Sequence, residues 1–162
     1  MFYSTTTDTY IQEGQSFVID GVTYPPQWLN QSTPEQKAAI GLEEVVATNS
    51  PANDQYYWVS TELNGASLTY VNTPKDLDIV KSNAVVQVNS SAYSILLPSD
   101  WMVVKAYETS TPMNVAWNAW RSAIRTEAAN AVTAINAATD VDGVALAVQV
   151  NWTPDPTQIK VE

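Results

Sequence analysis

The sequence predicts an α+β protein: a small antiparallel β-rich module over residues 1–73, followed over residues 74–162 by a helical hairpin with a short extra helix and an extended tail. Three observations predict it. Short runs of Tyr, Ile, Val and Thr fill the first half, separated by Glu13-Gly14, Asp20-Gly21 and Asn64-Gly65, the pattern of strands joined by tight turns. Apolar residues then recur every three or four positions through two long stretches of the second half, which is the period of a helix face. Charge changes at the same point: residues 1–73 hold eight acids and one base, residues 74–162 nine acids and six bases.

The stretch "TDTYIQEGQSFVIDGVTYPPQWL" reads as a small meander. Next, Thr33 as N-cap, Pro34 at the first helical position, Gln36 closing a capping box and Gly41 as the stop predict a short helix over about 34–41. "LEEVVATN", "QYYWVST" and "SLTYVN" read as further strands.

At Thr73-Pro74 a cap and a proline open a long helix over about 74–97, with Leu77, Val80, Ala84, Val88, Ala92 and Ile95 on its apolar face and Pro98 as its stop. Thr111-Pro112 open a second over about 112–138, with Met113, Trp117, Trp120, Ile124, Ala128, Ala131, Ile135 and Ala138 in step. Trp101 is expected in the loop between them. A capped helix over about 140–148 follows, and the prolines of "NWTPDPTQIKVE" force an extended tail anchored by Trp152.

Composition excludes many functions. The net charge of -10 repels phosphate backbones and anionic lipid, so neither nucleic acid nor a membrane surface is expected as a partner. Cysteine and histidine are both absent, which removes disulfides, thiolate chemistry, histidine-based triads and nearly every zinc or transition-metal site. No cofactor or metal is expected. The start of the chain shows no basic segment followed by an apolar run, and no stretch is long and apolar enough to span a bilayer, so a protein without a secretion signal is expected.

Carboxylate pairs can run glycoside hydrolysis without histidine, and Glu43-Glu44 and Asp76/Asp78 have the residue types for it. Neighbours on a strand point to opposite faces, however, and solvated surface acids are the expectation, hence no enzyme. "TDVDG" lacks the third ligand and the distal glutamate of a calcium loop, so Thr139 or Asp140 is expected to cap a helix.

Tyr56, Trp58 and Tyr70 have the chemistry of a sugar-stacking platform, since aromatic rings offer flat apolar faces. Tyr56 and Trp58 share a face if both lie on one strand, and core packing is the plainer expectation. Trp117, Trp120 and Ile124 fall on one helix face as a buried anchor, with Arg121 and Arg125 beside them and Asp100 or Glu108 as a counterion for Arg121. Residues 82–99 and 128–139 contain no formal charge, unlike an ordinary solvated helix. These charge-poor helices are expected to touch something on more than one side, their own β module or, through heptad-like spacing, another copy in a homo-oligomer.

With those residues in place, "LLPSDW", a proline, "W..WR..IR" and "V.W..DP" resemble the C-terminal signature of the tail-fibre-assembly and tail-assembly chaperone proteins of tailed bacteriophages or cyanophages. The likeness covers Leu96, Leu97, Ser99, Asp100, Trp101, Pro112, Trp117, Trp120, Arg121, Ile124, Arg125, Val150, Trp152, Pro154 and Pro156. "FVIDGVTYPPQWL" followed by "STPEQKAAIGLEEV" is similar to the opening of phage tail-fibre-associated proteins. Two departures stand out: the connection from Arg125 to Trp152 is longer than the family's, and Trp120 stands where a tyrosine is usual.

The resemblance implies a non-enzymatic protein of the phage tail that binds tail-fibre subunits, as an assembly chaperone or as a retained fibre-associated component. A structural tail or baseplate subunit and a glycan-binding receptor-recognition module are the alternatives. It further implies a place in the virion tail or in the host cytoplasm during assembly, with Leu96, Leu97, Asp100, Trp101, Trp117, Trp120, Arg121, Ile124, Arg125 and Trp152 as partner-contact candidates.

Overall fold

A computed structural model of the chain describes residues 1–157. Antiparallel strands in the first half and helices in the second make the fold α+β. The last five residues of the expected extended tail, 158–162, lie outside the described residues. The chain forms two compact units, Met1–Thr73 and Pro74–Glu162.

The first unit contains β1 (Phe2–Ser4), β2 (Thr9–Ile11), β3 (Phe17–Ile19), β4 (Val22–Tyr24), α1 (Trp28–Gln31), α2 (Pro34–Ala39), β5 (Leu42–Glu44), β6 (Val46–Ala47), β7 (Tyr57–Asn64) and β8 (Ser67–Pro74). β1 lies between β2 and β5, antiparallel to both, with Phe2 opposite Ile11 and Glu44. Three residues are too few to signal a strand by alternation, and the pairing with β5 is long-range, so the sequence pattern did not mark β1. β3 and β4 form a hairpin across Asp20-Gly21, where both residues have positive φ as a two-residue turn requires. This hairpin sets Phe17 opposite Tyr24, their rings stacked at 4.9 Å, and Trp28 of α1 meets the Tyr24 ring edge-on at 4.8 Å.

Thr33 and Gln36 form the expected capping box at α2. After it the chain passes Gly41, whose φ is +73° and whose missing Cβ would stand 2.7 Å from Thr6 Oγ1, so only glycine fits without a shift. Phe2, Ile11, Phe17, Ile19, Leu29 and Leu42 make the buried core.

"LEEVVATN" is two strands rather than one. The Val45 N–H donates to Met1 O, but the Val46 N–H donates to Ala66 O, so the chain changes sheets at Val45. β6 then pairs parallel to β8 in the order β6-β8-β7. Asn49 continues that edge through its side chain, accepting from Tyr70 N at 2.7 Å and donating to Tyr70 O at 2.8 Å.

The second unit contains α3 (Leu77–Leu96), a single 3₁₀ turn (Leu97–Ser99), α4 (Asp100–Thr109), α5 (Val115–Ala137) and α6 (Val141–Ala147). α3 and α5 pack antiparallel: Arg121 near the start of α5 reaches the Leu96 carbonyl, and Lys81 near the start of α3 reaches the Asn136 carbonyl. α6 closes against both. The buried residues step by three and four along each helix: Val80, Ala84, Val88 and Ala92 on α3, then Trp120, Ile124, Ala128, Ala131 and Ile135 on α5, with Val141 and Val144 on α6. Asp140 caps α6, its carboxylate accepting from Gly143 N at 2.7 Å.

Two expectations about the helices are corrected, and a third is extended. The region expected as a loop holding Trp101 is the ten-residue helix α4. Pro98 follows the end of α3 at Leu96, as a stop does, and also sits early in the 3₁₀ turn that leads into α4, a place where a missing N–H costs nothing. The long helices also begin three residues later than their Thr-Pro pairs suggest. Pro74 ends β8, and Asp76 caps α3 by accepting from Ile79 N at 3.0 Å. Asn114 caps α5 by accepting from Ala116 N at 2.9 Å, which leaves Pro112 and Met113 before the helix. No helix among the described residues is long and apolar enough to cross a membrane.

Candidate interaction surface

Where α3 gives way to α4, the backbone needs acceptors and donors satisfied away from a regular ladder. Arg121 supplies donors. Its guanidinium donates to Leu96 O at 3.0 Å and to Ser99 Oγ, while Nη2 donates to Asp100 Oδ1 at 2.6 Å. Ser99 Oγ in turn donates to Leu96 O at 2.7 Å. Arg121 is 4% exposed, so its charge is held by one carboxylate and two neutral acceptors in a largely dry setting. Asp100 lies in the first turn of α4, where a negative charge also meets the unpaired N–H groups of the helix start.

One turn earlier on α5, Trp117 and Trp120 meet edge-to-face with ring centroids 5.4 Å apart. Trp120 is buried, and its indole N–H donates to Thr153 O at 2.9 Å. Glu127, seven residues along from Trp120 on α5, accepts from Thr153 N at 3.1 Å and from the Thr153 hydroxyl. The C-terminal segment is thereby fixed across α5, and Trp152 comes to line a groove of about 440 Å³ together with Trp117, Trp120, Ile95, Pro98 and Pro154.

α4 differs from its neighbours in having no buried residue. Trp101, Val103, Val104 and Tyr107 are all exposed on it, Tyr107 to 89%. Lys105 lies over the Trp101 ring with Nζ 5.8 Å from its centroid, a cation–π contact one helical turn apart. Between α4 and the segment leading into α5 is a second groove, of about 310 Å³, lined by Trp101, Met102, Ala106, Pro112, Met113 and Trp117. α4 ends at Ser110, a non-glycine residue with φ of +51°.

The structure thus brings Leu96, Asp100 and Arg121 together in one hydrogen-bonded node, gathers Trp117, Trp120 and Trp152 around one groove, and places Trp101 and Trp117 on the other. Leu97 is exposed beside the node. Ile124 is wholly buried and acts as core. Arg125 is exposed and reaches back to Arg121 O at 3.5 Å. Missed from sequence were Glu127 and Thr153, and the face of α4 bearing Val103, Val104 and Tyr107. Glu127 carried a signal, as the lone acid on α5 one heptad from Trp120.

The three rings of the first unit differ in burial and in the elements that carry them. Tyr56 precedes β7, buried at 8%, where its N–H and that of Tyr57 both donate to Asn53 O. Burial pushes its phenol above the ordinary tyrosine range. Trp58, within β7, is 66% exposed, and Tyr70 on β8 is half-buried.

Fold and surface define an α+β protein of two compact units whose second unit carries an exposed apolar helix, fastened at its start by a buried arginine. Comparison of the chain with protein-family models, with curated proteins and with solved structures gives no match.

Proposed function

We propose that this chain is a non-enzymatic tail protein of a tailed phage that binds tail-fibre subunits through α4 and the groove beside it, as an assembly chaperone or as a component retained on the fibre. The exposure of Trp101, Val103, Val104 and Tyr107 on a helix with no buried residue carries the reading. An apolar helix face of this kind gains by covering apolar surface on another chain, and unassembled fibre subunits expose such surface until they trimerise. The Arg121 node supports it by holding the start of α4 in a fixed orientation, which lowers the entropy lost on docking. Residues of the tail-fibre-assembly resemblance build that node and line both grooves. The net charge of -10 keeps the free protein away from nucleic acid during assembly.

Co-expression with a tail-fibre subunit from the same genome tests the proposal. Soluble fibre trimer should rise and the two chains should co-purify, and Val104→Asp should abolish both while leaving the helical circular dichroism unchanged. Failure to co-purify, or binding indifferent to Val104→Asp, would overturn it. Mass spectrometry of purified particles separates the two roles: presence in mature virions places the chain in the tail as a retained or structural subunit, and absence leaves the transient chaperone in the host cytoplasm. The glycan-binding alternative draws less support, because Tyr56 is buried and cannot stack on a sugar.

A further inference from the structure

α3 is apolar on two opposite sides. One carries the core residues Val80, Ala84, Val88 and Ala92. About 180° around the helix, at 3.6 residues per turn, lie Ile79, Val86 and Tyr93, which are 61%, 61% and 62% exposed. They are spaced by seven, so they form a straight line with about 10.5 Å between neighbours. From Ser82 to Ser99 there is no formal charge.

The line is symmetric about Val86. In "SNAVVQVNS", residues 82–90, the positions that edge the line match, Ser82 with Ser90 and Asn83 with Asn89, whereas Val85 and Gln87 at the sides of the helix and Ala84 and Val88 on its core face do not; Ile79 and Tyr93 lie seven residues to either side. A two-fold axis at Val86 therefore sets Ile79 opposite Tyr93 of a second copy and, along the two edges of the seam, Asn83 beside its Ser90 and Ser82 beside its Asn89. Small polar flanks permit close approach, and each asparagine amide meets a serine hydroxyl that can both donate and accept. An isologous contact demands this self-complementarity, which a contact with an unrelated chain does not. Charge points the same way: two copies of a chain at -10 repel, and a charge-free strip is where they meet at least cost.

We infer that α3 pairs with α3 of a second copy, antiparallel, with Val86 on the two-fold axis. A single helix pair is small beside the roughly 1,600 Å² of a standard stable interface, so the dimer is a concentration-dependent one. This inference is independent of fibre binding, since it concerns the purified chain alone and a different helix.

The chain contains no cysteine, so each introduced thiol is unique. In light scattering across a concentration series the apparent mass should rise twofold, and Val86→Asp should hold it at the monomer value with unchanged circular dichroism. Under mild oxidation Val86→Cys should cross-link to itself. Ile79→Cys alone should not, because its two copies lie about 21 Å apart along the helices, but a mixture of Ile79→Cys and Tyr93→Cys should cross-link. A monomer at every concentration overturns the inference, as does a dimer that survives Val86→Asp. So does self-cross-linking of Ile79→Cys, which would require parallel helices.

Discussion

Arg121 and Asp100 are joined across the α3–α4 turn by a 2.6 Å charge-assisted hydrogen bond, with the arginine buried and the aspartate side chain 46% exposed. That asymmetry decides how each partner's removal is felt. Arg121→Ala deprives Leu96 O and Ser99 Oγ of a donor and opens space under the turn, at a cost of about 2–3 kcal/mol. Asp100→Asn keeps the shape and loses a half-screened charge, about 1 kcal/mol. Urea unfolding of the two variants should reproduce that order; equal effects would mean that the exposed ion pair, and not the buried contacts, holds the turn.

How much of this was legible in the sequence follows the range of the interactions. The apolar steps of α3 and α5 name their buried residues from Val80 to Ala92 and from Trp120 to Ile135, because a helix face is a local property. The capping box of Thr33 and Gln36 is local as well. β1 and the parallel β6–β8 pairing depend on partners some 20 to 40 residues away, which no window captures. At α4 the difficulty was ambiguity: a proline ends one helix and begins the next equally well, and Pro98 does both. Of the candidate surface, the sequence predicts the arginine node as a pairing with Asp100 or Glu108 and the fold selects Asp100, whereas Glu127 and Thr153 meet only through the fold.

The tie between Trp120 and Thr153 should fix the C-terminal segment without being essential to the helices. Trp120→Phe shrinks the buried ring and removes its N–H donor, so Thr153 O loses that partner and a small cavity opens, at a combined cost of about 2–3 kcal/mol. Glu127→Gln weakens the other half of the clamp by converting charge-assisted bonds into neutral ones. Both variants should speed amide exchange at Thr153 while exchange in the middle of α5 stays slow. Uniform acceleration along α5 would show instead that the tie supports the whole unit.

The buried Tyr56 phenol gives stability an alkaline limit. Its folded pKa is raised by desolvation, so below the unfolded value, near 10, both states are protonated and folding gains or loses nothing. Above that pH the unfolded chain ionises first, and stability falls as pH rises through the folded value. Tyr3 shares the direction, raised chiefly by its hydrogen bond to Asp8. Tyr56→Phe should therefore flatten the high-pH limb of a stability profile while leaving neutral pH little changed. An unaltered limb would mean that Tyr56 ionises as freely folded as unfolded.

Position on α4 against position on α5 separates contact from core. Ile124 and Ile135 are fully buried, and truncation to alanine removes methylenes and leaves a cavity, costing about 2–5 kcal/mol each. Tyr107 is a larger side chain, yet at 89% exposed it has little packing to lose, so Tyr107→Ala should change stability by no more than about 0.5 kcal/mol. Helix propensity even favours the alanine slightly. Under the proposed function the same substitution should weaken capture of a fibre subunit, since exposed tyrosines are frequent interface anchors. Melting temperature and pull-down from the same preparation distinguish the roles: Ile135→Ala should lower the first, Tyr107→Ala only the second. A Tyr107→Ala protein that melts early would place α4 inside a packed structure, and one that still binds at full strength would remove Tyr107 from the contact surface.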